Sequence, residues 1–309
     1  MNELEQLKTM TTVVADTGDI DEIARVKPTE ATTNPSLILK AAGIPKYAGM
    51  VERVKASGGP AALKIDELLV EFGSAILTHI PGRVSTEVDA RLSFDTAATV
   101  QKAKRVITLY ELKGIPRSRV LIKIAATWEG IQAACLLEAE GIHTNITLIF
   151  SEAQAVAAAQ AGATLISPFV GRIYDFYKKK AGSDWDEAAN AGANDPGVMS
   201  VKKIFAALKG MGSKTQVMGA SFRNKGEILA LAGCDLLTIA PKFIDELSNG
   251  QTHVARALDP ALVAPVLLPE LTQEAFLKAL DEDPMASEKL RTGIESFVAD
   301  TEKLEAILA

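Results

Sequence analysis

The sequence predicts a closed ring of eight parallel β-strands, each followed by a helix, formed by one domain over residues 1–309. Three observations predict it. Short apolar runs of strand length recur along the chain, separated by segments with helical periodicity. Five of these runs follow a glycine that can end a helix in the left-handed conformation. With three further runs upstream, the strands number eight. Alternation of strand and helix gives right-handed units and a parallel sheet. Eight units in a chain of this length suit a (β/α)8 barrel of the TIM type. An open doubly wound sheet is the other arrangement the alternation allows.

In chain order, TVVAD (12–16), EATTN (30–34) and VSTEVD (84–89) read as the first three strands. Asp95 is an N-cap, and Val100, Ala103, Ile107 and Tyr110 then repeat at helical spacing. Gly114 precedes VLIKIA (120–125), Gly141 precedes HTNITLIF (143–150) and Gly162 precedes TLISPFV (164–170). Between the last two, Ser151 and Gln154 form a capping-box pattern before an Ala-rich helix. Residues 171–200 exceed the minimal repeat. They hold IYDFYKKK (173–180) and continue into a Gly/Asn/Asp-rich stretch ending at Pro196-Gly197, which predicts an extra helix and a surface loop after strand six. Ser200 is read as capping a helix with Val201, Ile204, Phe205 and Leu208 on one face. Gly212 precedes QVMGASF (216–222), Asn224 with Glu227 caps the next helix, and Gly233 precedes DLLTIA (235–240). In the tail 283–309, Leu290, Ile294, Phe297, Leu304 and Ile307 predict an amphipathic helix docked on the barrel or on a neighbouring subunit.

Bulk properties narrow the function. The chain is 48% hydrophobic and 23% charged, with a net charge of −6, which argues against a nucleic-acid partner. It contains no apolar run of membrane-spanning length and no secretory leader, so a cytoplasmic protein without a membrane partner is expected. Cys135 and Cys234 are expected at a buried helix and a helix end, without a disulfide framework. His79, His143 and His253 are scattered, and no motif has metal-ligand spacing. No glycine-rich nucleotide fingerprint opens a helix. No metal and no cofactor are expected.

VLIKIA places one ammonium in the middle of an apolar strand. Lys123 shares a face with Leu121 and Ala125, opposite Val120, Ile122 and Ile124. A lysine snorkelling from a strand edge is one reading of this run taken alone. A buried amine that attacks a carbonyl is the other. Parity along the remaining strands bears on the choice. The apolar faces suit the helix layer, which turns Asp16, Asn34, Glu87, Lys123, Asn145, Thr147, Ser167 and Ser221 towards the barrel interior near its C-terminal mouth. In QVMGASF this parity pairs Gly219 with Ser221, opposite Met218 and Phe222. Each residue has a structural reading: Asn34-Pro35 as a turn, Glu87 as a buried partner of Lys123, the serines as filling. Together they would carry a desolvation cost that a purely structural interior has no reason to bear. Arg172 and Arg223 follow two of the strands, where arginine forks suit phosphate oxygens.

Several long stretches resemble those of the transaldolase family: VVADTGD (13–19), ATTNPSLIL (31–39), GRVSTEVDARLSFD (82–95), LIKIAATWEGI (121–131), NITLIFS (145–151), ISPFVGRI (166–173), DPGV (195–198) and MGASFRN (218–224). The resemblance implies a (β/α)8 barrel with Schiff-base chemistry and sugar-phosphate substrates. By it, Lys123 is the Schiff-base nucleophile. Glu87 and Thr147 are similar to a pair holding a catalytic water, and Asp16 matches the acid/base at the C4 hydroxyl. Asn34, Asn145 and Ser167, with Thr32 on the same strand as Asn34, match groups around the dihydroxyacetone part. Arg172, Ser221 and Arg223 match phosphate contacts. Phe169 stands where shorter, aldolase-type relatives carry Tyr. The resemblance also implies a homodimer. His143-Thr144 and the 180–196 excursion depart from the common pattern, away from these positions. A fructose-6-phosphate aldolase and a non-catalytic sugar-phosphate binder are the competing readings. Retention of Asp16 and Glu87 speaks against the binder.

Overall fold

The computed structural model describes all residues 1–309. Eight parallel strands close into a barrel in chain order: β1 (Thr12–Asp16), β2 (Glu30–Thr32), β3 (Val84–Glu87), β4 (Val120–Ala125), β5 (Thr144–Ile149), β6 (Leu165–Pro168), β7 (Gln216–Gly219) and β8 (Leu236–Ile239), with β1 pairing to β8. This settles the barrel over the open sheet. Most strands stop one to three residues short of the apolar runs, because the chain leaves the ladder at the mouth to build loops. The predicted glycines Gly114, Gly141, Gly162, Gly212 and Gly233 all take positive φ, between 68° and 101°. L-residues avoid that region, so glycine ends the helix at low cost.

The core has two parts. Val14, Leu121, Leu165, Met218 and Leu236 fill the barrel floor. A larger cluster lies between the strands and the helix layer, where Val13, Val84, Ile122, Ile146 and Val217 pack against helix side chains. The helix Thr96–Leu112 starts as expected, with Asp95 Oδ1 accepting the Ala98 N–H at 2.9 Å. The Ser151–Gln154 capping box and the Asn224 N-cap also form.

Three expectations are corrected. Ser200 is not an N-cap. It lies inside the helix Pro196–Gly210, which Asp195 caps and Pro196 opens, so the proline sets the start one turn earlier. Cys135 is exposed, whereas Cys234 is buried; on its helix the buried face falls on Ile131, Ala134 and Leu137. The parity of β7 is inverted. Met218 points into the barrel floor, and a Cβ on Gly219 would meet Leu237 and Leu231, so Gly219 faces outward.

After β6 come two helices, Val170–Ala181 and Pro196–Gly210, joined by the expected excursion. The tail forms one helix, Pro284–Leu308, docked on the chain's own barrel. Ser36 donates to Asp300 at 2.5 Å and Arg91 pairs with Glu305 at 2.6 Å, fixing this helix near the mouth. No helix is long and apolar enough to cross a membrane.

Candidate active site

Register places the chemistry. Glu87 on β3, Lys123 on β4 and Asn145 on β5 are lateral partners in the ladder, so their side chains stand in one row inside the barrel. Thr147 stands one layer nearer the mouth, beside Ala125. Lys123 is 4% exposed and Glu87 is 3% exposed. Lys123 Nζ lies 3.0 Å from Glu87 Oε2 and donates to the Thr33 carbonyl at 3.4 Å. The approach to Glu87 is an ion pair off the angle of a hydrogen bond, since Glu87 Oε2 and Thr147 Oγ1 remain buried without hydrogen-bond partners. Burial raises the Glu87 carboxyl above its ordinary value, against the opposing pull of the Lys123 charge.

Asp16 ends β1 and accepts a hydrogen bond from Thr32 Oγ1 at 3.0 Å. Burial at the cavity wall also raises this carboxyl, although Lys123 and Arg172 pull it down. Ser167 Oγ donates to Asn145 Oδ1 at 2.6 Å, and Asn145 Nδ2 donates to Ser85 Oγ at 3.0 Å, which locks the amide orientation. Asn34 is a site-lining residue as expected, but it is an extended helix N-cap where a turn was the other reading. It caps the helix Pro35–Ala42 by accepting from the Leu37 N–H, and it lines the cavity.

Arg172 and Arg223 form the anion-suited part of the site. Arg172 is stacked between two rings, its guanidinium 5.1 Å from the Phe169 centre and 5.6 Å from the Phe297 centre. Burial and then the neighbouring Arg223 hold its guanidinium below the ordinary value. Arg223 pairs with Asp175 at 2.6 Å and also donates to the Ser221 carbonyl at 3.1 Å. Ser221 reaches the mouth differently from the parity expectation: β7 ends at Gly219, and Ser221 turns with φ 65°. A positive φ at serine is strained and is held by surrounding contacts. The Gly171 N–H supplies one, donating to the Ser221 carbonyl at 2.9 Å. A Cβ at Gly171 would lie 2.3 Å from that oxygen, so only glycine allows the approach.

These groups enclose a cavity of about 90 Å³ lined by Asp16, Thr32, Asn34, Lys123, Ser167, Phe169, Arg172, Met218, Ala220, Ser221, Thr238 and Phe297. Eight of these were expected from the sequence. Glu87 and Asn145 stand in the ladder row of the lining Lys123, Thr147 stands one layer nearer the mouth, and Arg223 is bonded to the lining Ser221. Thr238, which exchanges a 2.6 Å hydrogen bond with Thr32, was missed, although its inward parity on β8 carried the signal. Met218 and Ala220 were missed through the inverted parity of β7. Phe297 comes from the tail helix, its ring centre 5.9 Å from Lys123 Nζ. Nothing local in the tail marks it. No group of three or more His, Cys, Asp or Glu is arranged to hold a metal ion.

Comparison with known proteins gives this geometry its context. Residues 13–308 match the family model described as Transaldolase/Fructose-6-phosphate aldolase. A protein named Transaldolase from Methylibium petroleiphilum is 57% identical, with 99% of this chain and 98% of the relative covered. The chain therefore belongs to the transaldolase/fructose-6-phosphate aldolase family and is a transferase enzyme of the transaldolase type.

Proposed function

We propose that this enzyme moves a dihydroxyacetone unit from sedoheptulose 7-phosphate to glyceraldehyde 3-phosphate, giving erythrose 4-phosphate and fructose 6-phosphate, through a Schiff base on Lys123. The observation that carries the reading is one buried amine flanked by two carboxyls, Glu87 and Asp16, both held above their ordinary pKa by burial. Lys123 passes one proton to the paired Glu87 and attacks the C2 carbonyl as the amine; that proton then goes to the departing oxygen, so water leaves and an iminium remains. Asp16 takes the C4 hydroxyl proton as the C3–C4 bond breaks. The bonding electrons pass into the iminium, so an enamine remains and an aldehyde leaves. The enamine carbon then attacks the acceptor aldehyde, which regains a proton, and hydrolysis frees the lysine. Glu87 and Thr147 offer the unpartnered oxygens that a shared water would bridge while protons move at the amine.

In this reading Thr32, Asn34, Asn145 and Ser167 hold the hydroxyls of the three-carbon unit. Arg172, Ser221 and Arg223 hold phosphate, and Phe169 keeps water from the enamine. The chain works as one domain, as a homodimer in the cytoplasm, within the pentose phosphate pathway. The aldolase reading is the competitor, because the matched family spans both activities. A coupled assay with sedoheptulose 7-phosphate and glyceraldehyde 3-phosphate separates them. Erythrose 4-phosphate formed only with acceptor supports transfer. Free dihydroxyacetone formed at the same rate without acceptor refutes it.

A further inference from the structure

Two buried carboxyl groups outside the catalytic row face each other beside Arg223. Asp195 is 1% exposed and Glu227 is fully buried. Asp195 Oδ1 accepts the N–H groups of Gly197 at 2.7 Å and Val198 at 3.1 Å, which caps the helix Pro196–Gly210. Its other oxygen, Oδ2, is buried with no donor. Glu227 Oε2 accepts the Arg223 backbone N–H at 2.7 Å, and Oε1 accepts Asn224 Nδ2 at 3.0 Å. The two carboxyls lie within hydrogen-bond reach of one another. Two ionised carboxylates can only accept, so such a contact needs a proton between them.

We propose that Asp195 and Glu227 share one proton, donated by Glu227 to Asp195 Oδ2, and that this linked pair is a positioning element for Arg223. The positioning half rests on the phosphate role given to Arg223 above. The linkage joins the turn before Pro196 to the turn that carries Arg223, and Glu227 holds the Arg223 backbone directly. The charged groups facing the pair are Arg223, which favours ionisation of Glu227, and Asp175, which opposes ionisation of Asp195. Burial outweighs Arg223 and pushes Glu227 up to about 7, with Asp195 also raised. The proton is therefore held on the acid side of neutrality and released above it. Release places two like charges in contact and adds a negative charge beside an arginine that must bind phosphate. Both effects weaken phosphate binding as pH rises.

Asp195→Asn tests this. The amide oxygen keeps both cap bonds, while its nitrogen takes the Oδ2 position and donates to Glu227 at every pH. From about pH 6 to about pH 8.5, a range that brackets the Glu227 value of about 7, the wild-type KM for glyceraldehyde 3-phosphate should rise several-fold relative to the variant. Taking the ratio removes the substrate phosphate's own titration near pH 6. The KM for unphosphorylated glyceraldehyde should show no such divergence. Carboxyl carbon-13 NMR of the wild-type protein should show one buried carboxyl titrating near neutrality, and this signal should be absent from the variant. No carboxyl titrating near neutrality overturns the shared proton, and identical KM profiles in the two proteins overturn the positioning of Arg223. A neutral-range titration with equal effects on both acceptors leaves the shared proton standing. It overturns the phosphate role of Arg223, and with it the positioning claim.

Discussion

Arg172 and Arg223 should contribute unequally to phosphate binding, and the order follows from their partners. Arg172 is stacked on Phe169 and Phe297 and is held below its ordinary pKa by burial and by Arg223. A phosphate would be its first close counter-charge. A charge-assisted hydrogen bond to such a group contributes about 1.5–3 kcal/mol. Arg172→Ala should therefore raise KM for glyceraldehyde 3-phosphate roughly 10- to 150-fold, at 1.36 kcal/mol per decade. Arg223 is already paired with Asp175, with both side chains more than a third exposed. Such an exposed pair is worth about 0–1 kcal/mol, which Arg223 must give up to contact phosphate. Arg223→Ala should then cost up to about fivefold less than Arg172→Ala. Steady-state kinetics on both variants, with glyceraldehyde 3-phosphate and with unphosphorylated glyceraldehyde, read this directly. The unphosphorylated acceptor should be nearly indifferent to either change. A larger loss at Arg223 than at Arg172, or equal losses on both acceptors, refutes the reasoning.

Two further outcomes follow from the same geometry. Phe169, 7% exposed and edge-on to Phe150, offers no hydrogen bond to a protonating water, so Phe169→Tyr should lower transfer and raise release of free dihydroxyacetone from fructose 6-phosphate; an unchanged product ratio removes Phe169 from control of the enamine. Asp16 has a folded-state pKa raised by burial, so its stabilising contribution is present below the unfolded value near 4 and is lost as pH climbs through the folded one. The Tm of Asp16→Asn minus that of wild type should accordingly increase from about pH 4 upward, and a flat or falling difference in thermal melts contradicts the raised pKa.

The barrel was legible because strand period, helix period and glycine stops all agree, and Gly114, Gly141, Gly162, Gly212 and Gly233 each take the conformation their position predicts. The site was legible where strands run true: Glu87, Lys123 and Asn145 stand in one row as their parity requires. Legibility ended where the backbone leaves ideal geometry. On β7 the alternation predicts Gly219 inside and Met218 outside. The strand does the reverse, and the positive φ of Ser221 restores that side chain to the mouth. Ser200 lost its capping role to Asp195 because Pro196 fixes an earlier helix start. Phe297 depends on where a helix more than a hundred residues from Lys123 docks, and no local pattern carries that information.

The central claim is that Lys123 forms the covalent link to substrate. Incubation with fructose 6-phosphate and borohydride should reduce the iminium and fix a three-carbon unit on the protein. Peptide mapping should place it on Lys123, the lysine buried against Glu87 at 3.0 Å. An adduct on another lysine, or no adduct in an enzyme that still transfers the unit, would contradict the account.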